Sequence, residues 1–180
     1  LRSVHVDVVE GLIFICLAET APDFSSIKKS LAPYLSPYKI NESKVAAIKN
    51  YTLKANWKLV AENFRECYHC GGAHPEYCSA VIGANLREDA DVLTATKQKV
   101  WREKDLATEL VEVAAGTTTY AVRYPLRPGV ESYSVDEKKI SIPMGMHKDY
   151  DAGVIGLVNY PNFWMDAVSD YIWTMRVTAV

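Results

Sequence analysis

The sequence predicts an α+β domain: an antiparallel sheet wrapped around helices that pack against it, a helix-grip (START-like) arrangement. Three observations lead there. Short segments rich in β-branched and aromatic residues recur along the chain, joined by turn-like stretches. A few other segments place apolar residues at three- and four-residue steps, the helical period. The 180 residues suffice for one sizeable core, with no internal repeat, low-complexity run or evident linker to divide it.

Val4, Val6 and Val8 alternate with His5 and Asp7, the pattern of a half-buried strand with His5 on the solvent face. Glu10-Gly11 supplies a turn, and the apolar run 11–18 predicts a fully buried strand. Asp23 can cap a short helix carrying Phe24, Ile27 and Leu31, which Pro33 ends. Residues 44–54 form a strand candidate of mixed polarity. Trp57, Val60, Ala61, Phe64, Cys67 and Tyr68 then make one apolar helical stripe, with Asn63, Glu66, His69 and Cys70 on the other side. Gly71-Gly72 breaks this helix and Pro75 keeps it from restarting freely, so a turn delivers His74 beside His69. Residues 77–90 read as loop, with Cys78 as packing, and 105–115 as a helix closed by Gly116. Residues 117–124 predict a strand, 131–135 and 139–142 a hairpin, and 153–160 and 170–178 two more strands.

Composition narrows the function. A net charge of −2 without a basic run gives no footprint for nucleic acid. No apolar run in residues 1–180 reaches the length of a membrane span, and no stretch of them has a signal-peptide pattern, so neither an anchor nor a leader is expected. The four cysteines, Cys16, Cys67, Cys70 and Cys78, show no disulfide framework, which fits a reducing cytoplasm.

The chemistry concentrates in residues 56–76. Two of the four histidines, His69 and His74, lie there, with Glu66 three residues before the first. Two imidazoles plus oxygen ligands suit a ferrous ion that keeps open positions, the 2-His-1-carboxylate arrangement, and equally zinc or copper. A solvated polar helix face accounts for the same residues without any metal. Cys67 and Cys70 invite a structural zinc site. However, such sites use two well-separated ligand pairs, and here all four candidates fall within eight residues.

Asn56-Trp57-Lys58, Glu62-Asn63, Glu66, His69 and His74 together resemble the mononuclear-iron motif of Rieske-type non-haem iron oxygenase α subunits, the ring-hydroxylating family. That family usually has Asp where Glu66 stands. Arg65-Glu66-Cys67-Tyr68-His69-Cys70 is similar to the branch that oxidises quaternary ammonium compounds, most of all its glycine betaine and stachydrine demethylase group. The resemblance covers essentially the whole chain. It implies that His69 and His74 bind Fe(II) and that an Asp beyond residue 180 completes the site. It implies that Glu66 bridges to a [2Fe-2S] Rieske cluster of a neighbouring subunit and that Asn63 supports Glu66 or the iron-bound water.

The Rieske cluster takes a Cys-x-His and a Cys-x-x-His pair. The two do not occur together here, so the resemblance places that domain before Leu1 and makes residues 1–180 a partial catalytic domain. It further implies NADH as electron source through a reductase, O2 as co-substrate, and a homotrimer. The expected reaction is oxidative N-demethylation, glycine betaine to dimethylglycine and formaldehyde, with choline, carnitine, aromatic-ring chemistry or a non-catalytic ligand module as alternatives.

A quaternary ammonium group cannot donate a hydrogen bond, so aromatic faces and carboxylates must recognise it. Tyr160, Phe163, Trp164 and Tyr171, with Tyr77, are the cage candidates, and Arg65 and Arg123 candidate partners for a betaine carboxylate. Core packing is the competing role for each aromatic.

Overall fold

A computed structural model describes residues 3–81, 90–114 and 118–179. Strands β1 (His5–Val9) and β2 (Leu12–Cys16) form a two-stranded hairpin. Glu10 and Gly11 both take positive φ, the two-residue turn whose twist matches a hairpin, and Gly11 carries φ 95°. The run 11–18 is not the fully buried strand expected. Ile13 and Ile15 are exposed while Leu12 and Phe14 turn toward the core, because a two-stranded ribbon has only one face to bury. The alternation of β1 is reversed from that expected: Val4, Val6 and Val8 are exposed with Ile13 and Ile15, and Val9, on the face of His5 and Asp7, is buried, while His5 itself stays exposed at the strand's end.

Helix α1 (Ser25–Leu35) starts where Asp23 accepts the Ser25 N–H at 2.9 Å. It runs through Pro33 instead of stopping there. The carbonyl that proline leaves unpaired belongs to exposed Lys29, and fully buried Tyr34 and Leu35 anchor the last turn. Residues 44–54 are exposed and irregular, not a strand.

A five-stranded antiparallel sheet follows: β3 (Val111–Ala114), β4 (Thr118–Tyr124), β5 (Val154–Asn159), β6 (Phe163–Ala167) and β7 (Ile172–Arg176), in that order. Val111 and Val113 belong to this sheet, paired with Ala121 and Thr119, so their spacing is that of a strand and not of the helix expected over 105–115. The helix lies earlier, as α5 (Ala90–Glu103). Residues 131–135 and 139–142 make a tight turn, in which the Glu137 carbonyl accepts from Glu131 and Ser132, and not a strand pair. Gly116 lies outside the described residues, as do 82–89 of the expected loop.

The sheet's two faces do different work, because cross-strand partners point the same way. Ala121, Leu157 and Met165 form one row and pack with Ile27, Leu31, Tyr34 and Leu35 of α1, the largest core. The opposite face carries the rows Tyr120–Val158–Trp164–Met175 and Val122–Gly156–Asp166–Trp173. Helix α2 (Trp57–Arg65) sets Ala61 against Val158 and Trp164, and α3 (Cys70–Ala73) and α4 (Pro75–Ala80) pack Cys70, Cys78 and Ala80 around Val154. The architecture is therefore α+β, with helices on both faces of an antiparallel sheet.

Candidate metal and substrate site

Asn56 starts α2: its side-chain oxygen accepts the Lys58 N–H at 3.0 Å. The helix ends at Arg65, short of the Gly71-Gly72 break expected from the sequence. The cause is Glu66, which turns extended and takes the His69 N–H on its carboxylate at 3.1 Å, a donor that a continuing helix would pair with the Arg65 carbonyl. Tyr68 consequently leaves the apolar stripe and is 90% exposed. Cys70–Ala73 forms a single turn containing both glycines, and Pro75 opens α4 at a position where its missing N–H costs nothing. His69 and His74 thus flank one short turn, at its start and end.

Their rings lie 5.3 Å apart, edge to face. Imidazoles that share one ion through metal–nitrogen bonds of about 2.1 Å hold their ring centres about 5 Å apart, so the pair fits a common metal. His69 Nδ1 donates to Glu66 at 3.0 Å, and a carboxylate only accepts. The lone pair of neutral His69 therefore sits on Nε2, the atom left for a ligand bond. The same hydrogen bond, helped by the backbone N–H groups of His69 and Tyr68, holds the Glu66 carboxyl below its ordinary range. Among the described residues, no third His, Cys, Asp or Glu joins the pair in a metal-holding group.

The cysteines do not complete a zinc site. Cys67 and Cys70 face the apolar cluster around Val154, and among the described residues no three His, Cys, Asp or Glu side chains gather as a metal-holding group. His147 packs on Tyr38, 4.4 Å between ring centres, and burial lowers its pKa to about 4, so it is a neutral core group.

Beneath His69 and His74 a cavity of about 550 Å³ opens between α2, the short turns and the sheet. Asn63, Arg65 and Glu66 line it from the helix side, Tyr77 from α4, and Tyr120, Tyr124, Tyr133, Gly156, Asp166 and Trp173 from the sheet side. Another cavity, of about 480 Å³, lies by Lys97, Leu126 and Tyr150, with no histidine or cysteine in its wall.

The structure brings Asn63, Glu66, His69, His74, Tyr77 and Arg65 together and leaves the other cage candidates elsewhere. Phe163 falls on the α1 face of β6 and meets Phe14. Trp164 shares the cavity face but is fully buried under Ala61 and Phe64. Tyr160 stacks beneath the Arg65 guanidinium at 5.1 Å, and Tyr171 donates its hydroxyl to the Tyr133 carbonyl. Arg123 points to the far face, where it bonds the Ala107 carbonyl at 2.8 Å between the Tyr34 and Trp101 rings. Period-two alternation separates these residues, and one error of face moves a side chain to the other core. The sequence reading missed Tyr120, Tyr124, Tyr133, Asp166 and Trp173. Alternation with Tyr120, Val122 and Tyr124 was the available signal for the sheet residues.

Comparison with known proteins identifies the family. Residues 40–178 match the family model described as the ring hydroxylating alpha subunit, catalytic domain. The chain is 34% identical over 98% of its length to the glycine betaine monooxygenase oxygenase subunit of Chromohalobacter salexigens, covering 41% of that protein. It is 32% identical over 98% of its length to the corresponding Pseudomonas aeruginosa subunit, covering 42%. An Escherichia coli carnitine monooxygenase oxygenase subunit is 42% identical over 45% of this chain and 22% of its own. The chain spans about two fifths of the length of these glycine betaine relatives. It belongs to the ring-hydroxylating oxygenase α-subunit family.

Proposed function

We propose that the protein containing this chain oxidatively removes an N-methyl group from a quaternary ammonium compound, with glycine betaine as substrate. The observation that carries this reading is one cavity in which two imidazoles sit over a floor of tyrosines and a tryptophan. The glycine betaine relatives, matched over nearly the whole chain, favour the substrate.

His69 and His74 would hold Fe(II), with a carboxylate from outside the described residues. Bound there, ferrous iron supplies O2 activation. Glu66 fixes the His69 ring and its tautomer through Nδ1, and Asn63 lines the cavity one helical turn away. The tyrosine rings hold the methylammonium group, and Arg65, on the helix side of the cavity, pairs with the betaine carboxylate. Electrons come from NADH through a reductase and a [2Fe-2S] Rieske cluster outside this chain. The balance is one O2, two electrons and two protons in, with one oxygen entering a methyl C–H bond and the other leaving as water. The hydroxymethyl group then loses its proton, its C–N bond breaks with the electron pair kept by nitrogen, and formaldehyde departs. Glu66 is also the bridge to the cluster of a neighbouring subunit, which makes the working assembly a homotrimer in the cytoplasm.

Carnitine is the second reading, favoured by the higher local identity to the Escherichia coli subunit. The test uses full-length protein, iron, reductase and NADH with glycine betaine, stachydrine, choline and carnitine, reading formaldehyde. Formaldehyde from glycine betaine above the others is the expected result. Release from carnitine alone moves the substrate, and release from none overturns the reading.

A further inference from the structure

The floor of the cavity holds a group that neither the metal pair nor the electron path uses. Asp166 lies in the cross-strand row Val122–Gly156–Asp166–Trp173, facing the helices. It makes no metal-holding group with His69 and His74. Gly156 stands beside it, and a Cβ there would meet Tyr124 Cε1 at 3.2 Å and Asp166 Oδ1 at 3.6 Å. The bare glycine lets the Tyr124 ring lie over the strand and reach Asp166. The Tyr124 hydroxyl and Asp166 Oδ1 lie beside the same spot, 3.7 Å and 3.6 Å from where that Cβ would stand. The Tyr77 and Tyr133 rings pack at a tilt, their centres 5.4 Å apart. Burial raises all three phenols, so they remain neutral rings.

Resting on the reading above, we propose that Asp166, among Tyr77, Tyr124 and Tyr133, is the counter-charge that binds the quaternary ammonium head of the substrate. The physical case is a mismatch. Among the described residues, no Lys or Arg is paired with this carboxylate, and burial pushes its pKa up to about 7. A fixed positive charge, which a quaternary ammonium carries at any pH, answers that need. The rings give the methyl groups their π faces, and Asp166 supplies the net charge they lack. With Arg65 on the opposite wall, the cavity offers a negative end and a positive end, which matches a zwitterion with its ammonium down and its carboxylate up.

The test measures binding by calorimetry to full-length, metal-loaded protein, wild type against Asp166→Asn. The ligands are tetramethylammonium, glycine betaine and 3,3-dimethylbutyrate, the uncharged-carbon isostere of glycine betaine. Asp166→Asn is expected to weaken both ammonium ligands by about 10- to 100-fold and leave dimethylbutyrate binding within about 3-fold. Iron content should not change. Asp166→Glu should keep the preference for glycine betaine over dimethylbutyrate whatever its absolute affinity. Equal losses for charged and uncharged ligands, unchanged tetramethylammonium binding, failure of the wild type to bind tetramethylammonium, or loss of iron would each overturn the proposal. Asp166-dependent tetramethylammonium binding without formaldehyde from any substrate would keep it and overturn the demethylase reading.

Discussion

Glu66 does two things at once in this structure. It accepts the His69 backbone N–H at 3.1 Å and the His69 ring N–H at 3.0 Å, so it both stops α2 and orients the His69 imidazole. Glu66→Gln keeps an acceptor at that place, so iron content should stay near that of the wild type while turnover falls by about 100-fold or more. Iron analysis beside a formaldehyde assay checks this, with His69→Ala, which should lose the iron, as the control. Retained turnover in Glu66→Gln would remove its electron-bridging role. Asp166 gives a pH prediction. Its folded pKa of about 7 lies above the ordinary 3.8, so the folded state holds the proton more tightly. The stability this contributes is complete below about pH 4 and is lost as pH rises through 7. Asp166→Asn should therefore raise Tm relative to wild type at pH 8 and change it little at pH 4.

At the scale of elements, the motif was legible as chemistry before it was legible as structure. The spacing of Glu66, His69 and His74 was readable directly, and the structure sets both imidazoles at one cavity mouth. The helix boundary was not readable, because a side-chain acceptor, not a glycine or proline, ends α2. The same holds for Pro33, which tertiary anchoring by Tyr34 and Leu35 overrides. The β-strands 118–124, 154–159 and 172–176 were legible from β-branched and aromatic content, and alternation says which residues share a face, but which face lines the cavity is settled only by how the helices pack. The Asn56 cap is the testable local device. Asn56→Ala should destabilise the protein by about 1 kcal/mol, read as a shift in urea midpoint at unchanged slope. Gly156→Val should fill space beside Tyr124 and Asp166, weakening glycine betaine binding while leaving iron content unchanged.

The sheet divides the molecule into a core face and a working face. The core face, built on α1 and the hairpin, holds Arg123 and His147 away from the chemistry. The working face leaves a cavity because α2 covers the Trp164 row and, through Phe64, reaches Trp173 of the next row, while Gly156 and Asp166 of that row line the cavity. The resemblance in the motif made the α+β class and the family legible at once. The substrate floor was hidden because it comes from strands and a loop far apart in sequence. A trimer is the assembly this account requires, and a monomer in solution that turns over with its reductase would contradict the cross-subunit role of Glu66. The most direct test is a turnover of methyl-deuterated glycine betaine by full-length protein with iron, reductase and NADH. The account predicts deuterated formaldehyde and dimethylglycine in one-to-one ratio with NADH consumed. NADH oxidation that releases peroxide and returns the betaine intact, with iron bound at His69 and His74, would contradict it.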